Sequence, residues 1–311
     1  MKILLLGANG QLGRTFLADG GLSERGALVA ASRDGSLLEG DRGERVDLAH
    51  RDNLIRLLDR VQPQLIMNAA AYTAVDKAEQ EEALAMRVNA DAVGALGGWA
   101  ATHGALLIHY STDYVFDGQA DRPYPVDAPV APLGAYGRSK LAGERALRAS
   151  GAEHLIFRTA WVYAAHGHNF LRTMLRLGAE RDELRVVADQ QGTPTSTVLI
   201  VRASLAALDH WQRADPAGRR ALAGTHHLVA SGMTSWHGFA DAIFEQAVAR
   251  GLLSRRPHVI PIATADFPTP ARRPAWSVLD NTGFQQRFGF NLPHWHDGLH
   301  EIIDQLSHDA A

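Results

Sequence analysis

Tyr136 and Lys140 stand four residues apart at the start of a helical stretch, which puts both side chains on one face about one turn apart. A phenol alone ionises near pH 10, a poor match to chemistry at neutral pH. A neighbouring ammonium favours the phenolate and lowers that value. Thr112 closes an apolar run that reads as a strand, and its hydroxyl can reach the same carbonyl oxygen. Together the three groups suit delivery of a proton to an alkoxide as hydride reaches the carbon. A Tyr-x-x-x-Lys spacing alone describes many surface helix pairs, so its weight comes from the segments that precede it.

The chain opens on the wholly apolar run 3–6, which suits a strand buried on both faces of a parallel sheet. Gly7, Gly10 and Gly13 follow in the pattern G-x-x-G-x-x-G. Such glycines allow a sharp turn, a close approach of backbone to a pyrophosphate and tight packing of helix on strand. The helix is expected to begin near Gln11, with Leu12 and Phe16 on one face, so its free N–H groups point at the phosphates. A second strand over 27–31 ends in Ser32-Arg33-Asp34. A hydroxyl and a guanidinium at Ser32 and Arg33 suit a 2′-phosphate better than a free diol, which favours NADPH and leaves NADH possible. Asp47, followed by Leu48, could accept from an adenine amino group or cap a helix over about 52–60. The apolar stretch 64–71 runs into Ala69, Ala70 and Ala71, whose small side chains leave room for a cofactor or for close helix–sheet packing. Composition does not separate those two uses.

The elements that must hold these residues alternate. A long helical region is expected over about 75–103, with Gly97-Gly98 as its weak point. A strand over 105–110, a proline-rich loop over 123–132, a helix over 136–148 and a strand over 154–159 follow. Strand and helix in repetition demand a parallel sheet covered on both faces, an α/β fold with a Rossmann-type doubly wound sheet. Beyond it lie helices near 169–177, 196–211, 235–249 and 297–307, strands near 184–187 and 226–230, and a stiff basic loop over 268–274. The expected division is a dinucleotide-binding domain over 1–163, with 193–230 returning to it. A smaller α/β substrate-binding domain is expected over 164–192 and 231–311.

The bulk properties narrow the partners. The 311 residues include 46% apolar and 21% charged residues, with a net charge of −3, which gives no reason to expect nucleic acid or an anionic membrane. There is no cysteine, so disulfides and thiolate metal sites are excluded. No apolar run approaches the roughly 20 residues of a membrane helix. No secretory leader is evident, and the cytoplasm is the expected location. The histidine pairs His166/His168 and His226/His227 lack a ligand spacing, so no metal site is expected there.

Longer blocks carry a resemblance: Tyr110-Ser111-Thr112-Asp113-Tyr114-Val115-Phe116, residues 68–79, 136–144 and 157–163, and Thr269-Pro270-Ala271-Arg272-Arg273-Pro274. Over almost its whole length the chain resembles the extended short-chain dehydrogenase/reductases and, among them, the dTDP-4-dehydrorhamnose reductase family. The resemblance implies NAD(P)H-dependent reduction of the C4 ketone of dTDP-4-dehydro-β-L-rhamnose to dTDP-β-L-rhamnose. It implies Tyr136 as proton donor and Lys140 as the group that binds the nicotinamide ribose and lowers the Tyr136 pKa. Thr112 and Asp113 would hold the sugar, Trp161 would flank it, and Arg272 or Arg273 would meet the diphosphate. Gly10, Gln11, Leu12, Asp47, Leu48 and Ala69 to Ala71 would line the cofactor. Some members are described with Mg²⁺ held by glutamates at a dimer interface. Alignment puts Thr15, Val198 and Gln305 at those places, none a carboxylate, so neither Mg²⁺ nor that dimer is expected and a monomer or weak homodimer is. A 4,6-dehydratase on the same fold would need a second carboxylate where Tyr114 stands, and a non-catalytic cofactor-binding subunit would have no need of Thr112, Tyr136 and Lys140 together.

Overall fold

The computed structural model describes residues 1–37 and 40–310. Its strands, in chain order, are β1 (Lys2–Leu6), β2 (Ala27–Ser32), β3 (Glu44–Arg45), β4 (Leu65–Asn68), β5 (Leu106–Thr112), β6 (His154–Thr159) and β7 (Val162–Tyr163). They continue with β8 (Glu183–Val187), β9 (Gln191–Gly192), β10 (Thr195–Ser196), β11 (Gly224–His227), β12 (Thr234–Ser235) and β13 (His258–Ile262). Seven of them form one sheet in the order β11-β6-β5-β4-β1-β2-β3, with every neighbouring pair parallel.

The strand order turns back on itself between β1 and β4, and the crevice beyond their carboxyl ends is where open sheets of this kind bind ligands. Ile3 to Leu6 and Leu65 to Met67 are wholly buried, as strands covered on both faces must be. On one face Leu4, Leu6, Ile66 and Leu107 pack against Leu54, Leu57, Val93 and Leu96. On the other, Ile3, Leu5, Phe16 and Tyr110 belong to a core that continues without a break through Leu199, Phe239, Ile243 and Ile303. The sheet and the segments beyond it therefore share apolar packing.

The region between β4 and β5 departs from the single helix expected. It is built of Val75–Ala78, Glu82–Met86, a π-helical turn Arg87–Asp91 and a helix Ala92–His103. Gly97 is no weak point. A Cβ there would come within 2.7 Å of the Ser150 hydroxyl oxygen, so the missing side chain lets two helices approach. The interruption lies at residues 79–81; from Glu82 to His103 the helix is continuous through the π turn, where the Asn89 carbonyl sits so close to Gly143 that a Cβ would lie 2.0 Å away.

The later segments form short pairs: β7 with β10, β9 with β12 in antiparallel sense, and β8 with β13. Strand β13 and the helices Gly21–Arg25, Pro216–Leu222 and Thr282–Phe288 have no counterpart in the sequence reading. Each is short, and a short apolar run carries little period to read. Among the described residues no helix is long and apolar enough to cross a membrane.

Candidate active site

The glycine turn after β1 is built for close approach. Gly7 has φ of +81°, and a Cβ on it would fall 2.6 Å from the Ala70 nitrogen. A Cβ on Gly13 would lie 2.2 Å from the Gly7 carbonyl oxygen, so only glycine lets the Gln11–Asp19 helix start against the strand end. The helix has Gly10 at its N-cap and no side-chain cap, which leaves the first-turn N–H groups of Gln11, Leu12 and Gly13 facing the crevice. Ala69, Ala70 and Ala71 form the opposite lip, half-buried after β4.

Beyond β2 the arrangement differs from expectation. The Ser32 side chain is buried, and its hydroxyl donates to the Ser36 carbonyl at 2.8 Å. It also lies 3.2 Å from the Asp34 carboxylate, so it is engaged inside its own loop and is not free for a phosphate. Arg33 is exposed at that strand end. The Asp47 carboxylate accepts from the Ala49 N–H at 2.9 Å and does not cap the Arg51–Val61 helix, whose N-cap is His50. Leu48 is buried beside it.

Thr112, Asp113, Tyr136 and Lys140 converge where β5 ends and the Ala135–Ala149 helix begins. The Glu79 carboxylate accepts from the Ala135 N–H at 2.8 Å and anchors that helix start. The Thr112 hydroxyl donates to one carboxylate oxygen of Asp113 at 2.9 Å. The other, Oδ2, is buried with no partner in the protein. Burial pushes the Asp113 carboxyl up to about 6, against the Thr112 hydrogen bond that lowers it. An orphaned acceptor of this kind is costly unless a ligand satisfies it.

Burial also pushes the Tyr136 phenol up. The Thr112 hydroxyl works the other way, while the Asp113 carboxylate and Tyr114 add to the rise. Lys140 points to β5. Its Nζ donates to the Tyr110 carbonyl at 2.6 Å and stands 3.5 Å from the His109 ring. Burial brings the Lys140 amine down to about 8, against the opposing charge of Glu144. Tyr114 packs edge-on against Tyr136 with ring centres 5.5 Å apart.

Trp161 is held with φ of +46°, a backbone state that costs a non-glycine residue roughly 1–3 kcal/mol. The surrounding contacts fix it there. Its indole N–H donates to the Ser277 hydroxyl at 3.2 Å, and its ring stacks on Trp236 with centres 3.5 Å apart. A Cβ on Gly192 would lie 2.3 Å from the ring, so glycine there makes the seat. Arg273 is committed elsewhere than expected. It donates to the Asp76 carboxylate at 2.8 Å and to the Tyr114 hydroxyl at 3.4 Å, joining the Val75–Ala78 helix to the basic loop over 268–274. Arg272 is exposed.

Sequence reasoning did not single out Trp236, Ser277, Asp76, Glu79 or His109. Trp236 and Ser277 carry no local signal, because they reach Trp161 only through the fold. His109 does carry one: an ionisable ring inside an otherwise apolar buried strand. At the three positions aligned with metal ligands, the Thr15 hydroxyl donates to the Gln11 carbonyl and pairs with the Thr197 hydroxyl at 2.8 Å. Val198 is half-buried and Gln305 exposed. Among the described residues no group of three or more His, Cys, Asp or Glu side chains could hold a metal ion. His226 and His227 are bonded to the Leu222 and Asp280 carbonyls, and burial holds both rings well below the usual imidazole range.

Comparison with known proteins gives one consistent pattern. The family described as "RmlD substrate binding domain" matches residues 1–308. The chain is 45% identical to the dTDP-4-dehydrorhamnose reductase of Burkholderia thailandensis, over 95% of each protein. It is 41% identical to that of Escherichia coli K12, over 98% of each. Among solved structures, the dTDP-4-dehydrorhamnose reductase of Clostridium acetobutylicum superposes with a TM-score of 0.86 at 36% identity, covering 98% of this chain and 99% of that one. The Bacillus anthracis reductase, solved in complex with NADP, gives 0.83 at 30% identity with the same coverage.

Proposed function

Since the chain belongs to the RmlD substrate binding domain family, we propose that it reduces the C4 ketone of dTDP-4-dehydro-β-L-rhamnose to dTDP-β-L-rhamnose with a reduced nicotinamide cofactor. The observation that carries this reading is the meeting of Thr112, Tyr136 and Lys140 beside the unpartnered Asp113 Oδ2, at the carboxyl edge of the sheet. The glycine turn fits a dinucleotide: Gly7 and Gly13 leave no room for a Cβ, and the first-turn N–H groups of Gln11 to Gly13 suit a diphosphate. When bound, the cofactor supplies hydride to C4.

The chain's own residues supply the proton and the placement. The Tyr136 hydroxyl donates a proton to the sugar O4 as negative charge develops there. Burial, which raises its pKa, keeps it protonated until that charge arrives. The Thr112 hydroxyl would turn its proton from Asp113 Oδ1 to the same oxygen, and Asp113 Oδ2 would accept from a sugar hydroxyl. Trp161, fixed against Trp236, gives the sugar ring an apolar wall. Lys140 turns from the Tyr110 carbonyl toward the ribose and balances the phenolate. Gly7, Gly10, Gln11, Leu12 and Gly13, with Asp47, Leu48 and Ala69 to Ala71, line the dinucleotide. Residues 1–163 and 193–230 hold it, and 164–192 with 231–311 cover the sugar.

NADPH is the favoured reductant and NADH a usable one, on the strength of the exposed Arg33 guanidinium beyond β2. Every group in the proposed mechanism comes from one chain, so a monomer suffices, and no step calls for Mg²⁺. The diphosphate would have to compete with Asp76 for Arg273, or be met by Arg272. The test is to mix the protein with NADPH or NADH and dTDP-4-dehydro-β-L-rhamnose. The expected result is loss of the reduced-cofactor absorbance and formation of dTDP-β-L-rhamnose. Unchanged absorbance, or a product of the opposite C4 configuration, would overturn the reading.

A further inference from the structure

His109 has no part in the mechanism above, yet it is wholly buried between the loop after β4 and Lys140. The direction of its hydrogen bonds can be worked out from one fixed end. The Ala70 N–H can only donate, and it meets Asn68 Oδ1 at 3.3 Å. That fixes the Asn68 amide, so its Nδ2 is the atom 3.1 Å from His109 Nδ1. An amide N–H there requires Nδ1 to be the bare, accepting nitrogen. Burial alone disfavours the charged ring and holds it neutral. A neutral ring with Nδ1 bare carries its proton on Nε2, and Nε2 faces Lys140 Nζ at 3.5 Å.

We propose that His109 is a positioning residue that biases the charge state of Lys140: its Nε2–H, 3.5 Å from Nζ, opposes an ammonium there and favours the neutral amine in the cofactor-free protein. The other groups around Nζ are few. Glu144, on the same helix, favours the ammonium, but its own charge is taken up by Arg158 of β6 and by Arg148. Tyr136 lies one turn earlier on that helix and is held as the neutral phenol. The Tyr110 carbonyl of β5 accepts a hydrogen bond that either form of the amine can give. Burial already lowers the amine, and the imidazole, whose Nε2 faces Nζ at 3.5 Å, adds an orientation that works the same way. Through Asn68 it ties Lys140 to the Ala70 N–H in the lip of the proposed cofactor crevice.

This inference rests on the proposed reading of the site for its meaning, but not for its test, which uses the cofactor-free protein and no substrate. The chain has three lysines, Lys2, Lys77 and Lys140, so ¹³C-labelled lysine gives a resolved titration of each. The ¹⁵N shifts of the His109 ring report its tautomer. Expected are a proton on His109 Nε2, a Lys140 that titrates well below exposed Lys2 and Lys77, and a rise of roughly one pH unit for Lys140 in His109→Phe. A proton on Nδ1, an ordinary Lys140 titration, or no rise in His109→Phe would each overturn it. If His109→Phe does not fold, the wild-type tautomer and titration decide alone. Turnover of the keto-sugar by a protein that fails these measurements would sink this inference and leave the proposed function standing; the converse result would do the reverse.

Discussion

Asp113→Asn should make the protein more stable and a worse binder of the sugar. Burial raises the Asp113 carboxyl from an ordinary 3.8 to about 6. Between those values the native state holds a proton that the unfolded state has lost, so stability falls as pH rises through that window. Above pH 6 the gap costs about 3 kcal/mol at most. Asparagine has nearly the same shape and no charge to bury, and its oxygen can still accept from the Thr112 hydroxyl. In urea unfolding the variant should match the parent within about 0.5 kcal/mol at pH 4. At pH 8 it should exceed the parent by about 2–3 kcal/mol. The KM for the keto-sugar should rise in the same variant while that for the cofactor holds, because an amide replaces the free acceptor at Oδ2. An equal gain at both pH values, or none at pH 8, would refute the claim that burial of charge strains this site. An unchanged KM for the sugar would remove Asp113 from the binding surface.

Tyr136→Phe removes only the hydroxyl and keeps the ring against Tyr114, so kcat should fall by roughly 10²–10⁴-fold with little change in the folded state; steady-state assays showing near-normal turnover would remove the phenol from the proposed role. Arg33→Ala should raise the KM for NADPH more than that for NADH, and equal effects would count against a 2′-phosphate contact. Dialysis against EDTA should leave turnover unchanged, whereas a loss restored by Mg²⁺ would show that residues other than Thr15, Val198 and Gln305 recruit a metal.

The parts of the site that can be read from the chain are those whose signal is local. The apolar run of β1 with its glycines, and the four-residue spacing of Tyr136 and Lys140, each encode a geometry within a dozen residues. The sheet follows from the alternation of such units. The partners of those residues could not be read in the same way. The Trp161 ring is seated by Trp236, Gly192 and Ser277, which come from three later segments. Arg273 reads as a free cation over a basic loop until the fold brings Asp76 to it. The helical region before β5 reads as one helix because alanine-rich sequence suits a helix everywhere. What distorts it is tertiary: the Asn89 side chain bonds the Tyr72 backbone and the Ser139 hydroxyl, and the helix widens into a π turn that places it there. The same limit explains Lys140. Its spacing from Tyr136 was legible, but its contacts with His109 and the Tyr110 carbonyl depend on how far the helix stands from β5.

The site demands polar groups where the sheet is otherwise sealed, and the chain meets that demand with a second polar layer behind the first. His109 and Ser111, two apart on β5, turn to the helix face that carries Lys140 and Glu144, four apart. The Ser111 hydroxyl donates to Glu144 at 2.6 Å, and Arg158 of β6 grips the same carboxylate through two nitrogens. Burial works against the Glu144 charge, but those bonds hold its carboxyl below the usual range. A buried pair of this kind adds little net stability over apolar packing. Its value lies in direction. An apolar layer would let the Ala135–Ala149 helix slide over the sheet in small steps. A fork of fixed hydrogen bonds allows one seating, and that seating carries Tyr136 and Lys140 with it. The price of a proton donor held beside Thr112 is thus a charged pair sealed beneath it, with Ser111 joining that pair to the strand end that bears Thr112.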